Sequence, residues 1–116
     1  MVSAERQTPP SLVFDVNDIE WTDVRPGIKA KKIWEDPSTN RRAQLTRIEP
    51  GAQIARHRHD GDELVYVVEG AISDEFGTIT AGNVGYRPNG CVHTVSSRNG
   101  ATVYAIISGR TEPVKA

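Results

Sequence analysis

Along the chain, short apolar or β-branched runs alternate with turn signals, and no stretch sustains a 3.6-residue hydrophobic period. The turn signals are Arg25-Pro26-Gly27, Asp36-Pro37-Ser38, Glu49-Pro50-Gly51, Asp60-Gly61, Phe76-Gly77, Pro88-Asn89-Gly90 and Asn99-Gly100, residue types whose backbone preferences favour reversals. Between them the pattern predicts strands over 28–34, 43–48, 54–59, 64–68, 77–80, 93–97 and 101–108. Many short strands at this spacing predict an all-β sandwich or barrel. Only residues 16–21 have the character of a helical turn. Residues 1–11, with two adjacent prolines and no hydrophobic period, predict a flexible arm ahead of a single domain over 12–116.

The strand over 64–68, Leu-Val-Tyr-Val-Val, is apolar on both faces, whereas a strand with one wet face alternates. It is therefore expected to be covered on both sides, by the barrel core and by another sheet or a second subunit, and a homodimer is the expected assembly. At 116 residues the chain suits one domain with a core of its own. A formal net charge of -1 gives no basic face for nucleic acid. The longest apolar run, Leu64 to Val68, is far shorter than the roughly 20 residues of a membrane span. Cys91 is the only cysteine, which excludes an internal disulfide, and Met1 to Pro10 has no apolar stretch for a signal peptide, so a soluble cytoplasmic protein is expected.

The chemistry-bearing residues cluster. His57 and His59 are two apart, so on an extended strand both rings point to one face with Cα atoms about 6.6 Å apart, close enough to converge on one ion. Glu63 follows across Asp60-Gly61-Asp62, a connection able to return a carboxylate to the same interior. His93 is distant in sequence and must reach the site through the fold. Three imidazoles and a carboxylate suit one divalent ion, Fe2+, Zn2+, Mn2+, Ni2+ or Co2+. A lone histidine is more often a solvated or satisfied core residue, but this chain has three in all and every one falls in this set.

The spacing resembles the cupin superfamily. Its first motif is matched by Gly51, five residues, His57-Arg58-His59, three residues, Glu63, six residues and Gly70. The second is matched by Gly82, five residues, Pro88, one residue, Gly90, two residues and His93, with Ser97 where the family usually has asparagine. Trp21, Pro26-Gly27, Trp34-Glu35-Asp36, Arg47, Pro50-Gly51, Ser73-Asp74-Glu75-Phe76-Gly77 and Arg87-Pro88 are similar to the small single-domain ChrR-type branch. The resemblance implies a double-stranded β-helix, the jelly-roll cupin barrel, with His57, His59, Glu63 and His93 as metal ligands. That branch includes the cupin domain of a zinc-binding anti-sigma factor and small dioxygenases acting on diketones and aryl ketones.

Four protein ligands on an ion that prefers six leave two open positions, and a divalent ion beside one carboxylate favours an anionic, chelating small molecule. The leading expectation is a metal-dependent dioxygenase, an oxidoreductase taking an enolisable or aromatic ketone. The alternatives are a non-catalytic zinc-binding sensor and a Lewis-acid lyase or isomerase. Around the site, Arg87 and Arg47 are candidates to meet an anionic ligand, and Cys91, two before His93, is either a lining residue or a small packed one. Tyr66, Trp21, Trp34 and Phe76 read as packing residues, and Asp60, Asp62, Asp74 and Glu75 as solvated turn carboxylates.

Overall fold

The computed structural model describes residues 8–115. Of the predicted arm, residues 1–7 lie outside the described residues, and residues 8–11 are exposed coil. A single 3-10 turn, Val16–Asp18, capped by the Asp15 side chain on the Asn17 N–H, lies within the segment expected to turn. The rest is strand: β1 Thr22–Arg25, β2 Ile28–Asp36, β3 Arg41–Ile48, β4 Gln53–Asp60, β5 Glu63–Asp74, β6 Gly77–Thr80, β7 Val84–Arg87, β8 Val92–Ser96, β9 Ala101–Ser108 and β10 Arg110–Pro113. All pairings are antiparallel, in the order β1-β2-β3-β9-β5-β8-β4-β10, with β6 and β7 also on β5.

The sheet curls into an open barrel because β5 serves both walls. Its first half pairs with β7 and β9, and its second half with β6 and, at Ser73 opposite Ser96, with β8. The change of partner follows a bulge between Val67 and Glu69, which bends a strand and raises its twist. Gly70 completes the corner at φ 79°, where a Cβ would run into the Gly100 carbonyl oxygen, so the close passage of β5 over Gly100 requires glycine.

Inward-facing apolar side chains form the core: Ile28, Ile48, Val65, Val67, Ile72, Val95, Ala101, Val103, Ala105 and Ile107. Burying each of the larger ones contributes on the order of 1.5–3 kcal/mol. The seven expected strands are all present. β1, β7 and β10, each four residues long, were not anticipated, because in such short runs neither alternation nor composition stands out.

Of the two faces of 64–68 expected to be covered, this chain covers one. Within this chain its inner residues Val65 and Val67 are buried, but Leu64, Tyr66 and Val68 are 43–48% exposed. They share an outer apolar face with Val84 and Tyr86 of β7 and Ile106 of β9. Phe76, expected to pack, lies 77% exposed at the β5–β6 turn.

Candidate metal centre

β4 carries His57 and His59 on its inner face. A register shift between Ile54 and His57 lets both Ile54 and the two histidines face the interior, which strict alternation would forbid. His57 lies directly opposite His93 on β8. His59 Nε2 is 3.2 Å from His57 Nε2 and 3.1 Å from His93 Nε2. His59 and His93 are buried, and His57 is half-buried. Glu63, which opens β5, brings Oε1 to 3.6 Å from His59 Nε2. The fold thus brings the three imidazoles together as a group that could hold a metal ion and sets the Glu63 carboxylate beside one of them, His59.

The rings are held from behind. His57 Nδ1 lies 2.8 Å from the Ala55 carbonyl oxygen, and His93 Nδ1 lies 2.8 Å from Asp74 Oδ2. Both partners are acceptors, so each Nδ1 carries the proton and each Nε2 presents a lone pair to the interior. Two lone pairs aimed at His59 Nε2 cannot both be satisfied by one N–H. A cation at the focus satisfies all three, and two nitrogens each about 2.1 Å from an ion, at right angles, would be about 3.0 Å apart. The donor set and its spacing therefore fit a divalent metal. His59 Nδ1 is buried without a partner among the described residues.

Asp74 was read in the sequence as a solvated turn carboxylate, and the structure corrects this. Its side chain is 6% exposed, Oδ2 accepts from His93 Nδ1 and stands 3.6 Å from Arg87 Nη2, and Oδ1 accepts from the Phe76 N–H at 2.8 Å. Burial pushes its pKa up, but the His93 ring N–H, the Phe76 N–H and the Arg87 charge outweigh burial and hold it below the usual value. The only hint of Asp74 in the sequence was its place in the Ser73–Gly77 segment of the family resemblance.

Electrostatics favour neutral rings at His57 and His59. Burial, with the neighbouring ring charges, lowers the His59 pKa to about 4. Burial lowers that of His57 as well, while it raises that of Glu63 against the nearby arginines. Neutral imidazole is the ligating form.

The histidines border a cavity of about 330 Å³, at the small end of the range for ligand sites. Its floor is apolar, from Ile28, Ile48, Val65, Ile72, Val103 and Ile107. Arg42, Gln44 and Thr46, alternate residues of β3, form a polar strip that the sequence reading did not single out. Of the other sequence candidates, Arg87 lines this cavity, whereas Arg47 stacks on Trp21 at 4.6 Å, outside it. Cys91 precedes β8 and lines a separate outer hollow, where burial raises its thiol pKa. Ser97, which replaces the usual asparagine, is buried and donates to the Ala71 carbonyl at 2.7 Å, a structural task remote from the ion.

A curled antiparallel barrel that collects three histidines from two neighbouring strands at the end of an apolar cavity is the arrangement of a cupin. Residues 10–111 match the family model of the ChrR cupin-like domain, and the chain belongs to that family. Its backbone is similar to an acetylacetone dioxygenase from Acinetobacter johnsonii, with TM-score 0.85 and 16% identity over 99% of this chain and 85% of that one. It is also similar to KdgF from a Halomonas species, with TM-score 0.74 and 25% identity over 87% of this chain and 96% of that one. The anti-sigma factor ChrR, in its complex with SigE of Rhodobacter sphaeroides, aligns with TM-score 0.71 and 23% identity over 81% of this chain and 51% of that one. No curated protein sequence matches the chain.

Proposed function

We propose that this protein is a metal-dependent, dioxygenase-type oxidoreductase whose substrate is a small enolisable ketone able to chelate the ion. The observation that carries the proposal is the convergence of three Nε2 lone pairs, two of them fixed by acceptors behind the rings, on the wall of a small, mostly apolar cavity. Similarity to a diketone dioxygenase supports it.

In this reading His57, His59 and His93 hold the ion, and Glu63 is the fourth ligand, drawn in by the ion's charge. Iron(II) held by these residues would supply Lewis-acid and redox chemistry for an enolate and dioxygen. Asp74 keeps the His93 proton on Nδ1, leaving Nε2 free. The Ile and Val floor excludes water from the reacting carbons, and the arginines of the wall favour the enolate over its neutral keto form.

The reading extends to residues 12–116 as one domain, to a cytoplasmic setting, and to a homodimer that covers Leu64, Tyr66, Val68, Val84, Tyr86 and Ile106. No helix of the described residues is long and apolar enough to cross a membrane.

The test is elemental analysis of untagged protein followed by oxygen-electrode traces after iron loading. Oxygen uptake with acetylacetone or a hydroxylated aryl ketone, lost in His93→Ala, is the expected result. Tightly held zinc with no oxygen uptake would replace this reading with a sensor or a Lewis-acid enzyme.

A further inference from the structure

Among the described residues Arg87 is the one buried arginine, and it lines the histidine cavity. It lies directly across β7–β5 from Glu63, its side chain is 8% exposed, and Nε has no hydrogen-bond partner among the described residues. Its nearest carboxylate oxygen, Asp74 Oδ2, is 3.6 Å away and is already the acceptor for His93 Nδ1. A buried donor left without an acceptor is costly. The fold nonetheless makes room for this guanidinium. Gly85, two residues earlier on the same face of β7, lies beneath it, and a Cβ there would crowd both Ile79 and, at 2.6 Å, Arg87 Nη1.

The surroundings point the same way. Arg25, Arg42, Arg56 and Arg87 all line the histidine cavity, and Glu63 is the only carboxylate among its lining residues. Arg42 spends Nη1 on the Gly109 carbonyl at 2.8 Å, and Arg56 pairs with Glu75 at 3.8 Å. Of these four, Arg87 alone combines deep burial with an unpartnered donor; it pairs with Glu63 across the strands and shares Asp74 with His93. A chelator with no acceptor beyond its two metal-binding oxygens would leave that donor unmatched.

We propose that Arg87 binds a carboxylate carried by the substrate in addition to its chelating oxygens, so that the preferred ligand is an enolisable keto acid, such as a dioxo-carboxylate, in place of a simple diketone. The planar fork of arginine suits two-point recognition of a carboxylate. The inference rests on the enolisable-chelate reading above and names the substrate class within it.

Acetylacetone and acetylpyruvate form a matched pair that differ by one carboxylate. Their affinities are measured by calorimetry on zinc-loaded protein, which binds without turnover. Wild type is expected to favour acetylpyruvate by roughly tenfold to a hundredfold, the range of a charge-assisted contact. Arg87→Gln should bring that ratio close to one, with acetylpyruvate losing roughly tenfold to a hundredfold more affinity than acetylacetone, whose enolate the other wall arginines still favour. Arg87→Lys should keep part of the preference, and Gly85→Ala, which crowds Ile79 and Nη1 without removing the charge, should lower it. A preference unchanged in both Arg87→Gln and Gly85→Ala overturns the inference, as does failure of wild type to bind acetylpyruvate. Oxygen uptake by the iron-loaded protein is recorded separately. Uptake with acetylacetone alongside an Arg87-independent preference sinks the carboxylate site and leaves the dioxygenase reading standing. An Arg87-dependent preference without uptake does the reverse.

Discussion

Asp74→Asn tests whether the carboxylate behind His93 governs the metal centre. Asp74 accepts two hydrogen bonds with different oxygens, from His93 Nδ1 and from the Phe76 N–H, each at 2.8 Å. Asparagine has one acceptor oxygen, so one of these donors must face an NH2 group. If the oxygen stays with Phe76, the amide donates to His93 Nδ1, the ring proton moves to Nε2, and the lone pair needed for the ion is lost. If the oxygen turns to His93, the Phe76 N–H opposes an NH2 group and the β5–β6 turn loosens. Either way Arg87 loses the negative partner 3.6 Å from Nη2. Removing the carboxylate behind a ligating histidine costs roughly tenfold to a hundredfold in metal affinity. Loss of a buried charge-assisted hydrogen bond adds about 2 kcal/mol of destabilisation to the metal-free fold. Competition with a chromophoric chelator gives the affinity, and thermal melting of the chelated protein gives the stability. A folded Asp74→Asn protein that binds zinc as tightly as wild type would refute the reasoning, because His93 would then be oriented without Asp74.

Three further outcomes are expected. His93→Ala should weaken metal retention by at least about a hundredfold, since it removes a ligand outright where the loss of its carboxylate support costs up to that much; full occupancy at wild-type affinity, read by elemental analysis, would remove His93 from the ligand set. Chelation should lower the melting temperature, and the chelated protein should lose further stability as the pH falls from 6.5 toward about 4. In that window the unfolded chain takes up a proton that folded His59 refuses. Glu63, with its raised pKa, opposes the trend, and with solvent screening the net loss is on the order of 1 kcal/mol by about pH 5, visible in melts at several pH values. Finally, the wild type should have a dimeric mass by light scattering at micromolar concentration, and Tyr66→Glu on the exposed face of β5 should make it monomeric with the metal site intact.

The fold was legible to the extent that local chemistry reports it. Turn residues marked most strand ends to within a few positions, and the Gly77–Thr80 and Ala101–Ser108 strands were placed to the residue, but the strand expected over 64–68 runs on to Asp74. The short β1, β7 and β10 escaped because their pairing, with β2, with β5 and with β4, comes from neighbours brought up by the fold. Strand 64–68 shows the opposite limit. Its doubly apolar pattern announced burial on both faces, yet only Val65 and Val67 find it within the chain, since a pattern states that a face seeks a cover without stating which molecule supplies it.

The candidate site divides along the same line. His57 and His59 were legible because a period of two is a local rule, and a strand can hardly separate rings spaced that way. Asp74 was invisible for a reason that can be located. Its carboxylate reaches His93 because β5 bulges after Val67, turns its corner at Gly70 and so delivers Ser73 opposite Ser96 on the strand that carries the histidine. Arg87 depends on the same bend, since Asp74 at the far end of β5 and Glu63 at its near end both face it only when the strand serves two walls. The ligands are thus written in the spacing of one strand and one motif, whereas the groups that orient them and select their substrate depend on the curvature of another strand. A substitution at Gly70 that strains this corner should therefore disturb His93 and Arg87 together, although neither residue touches it.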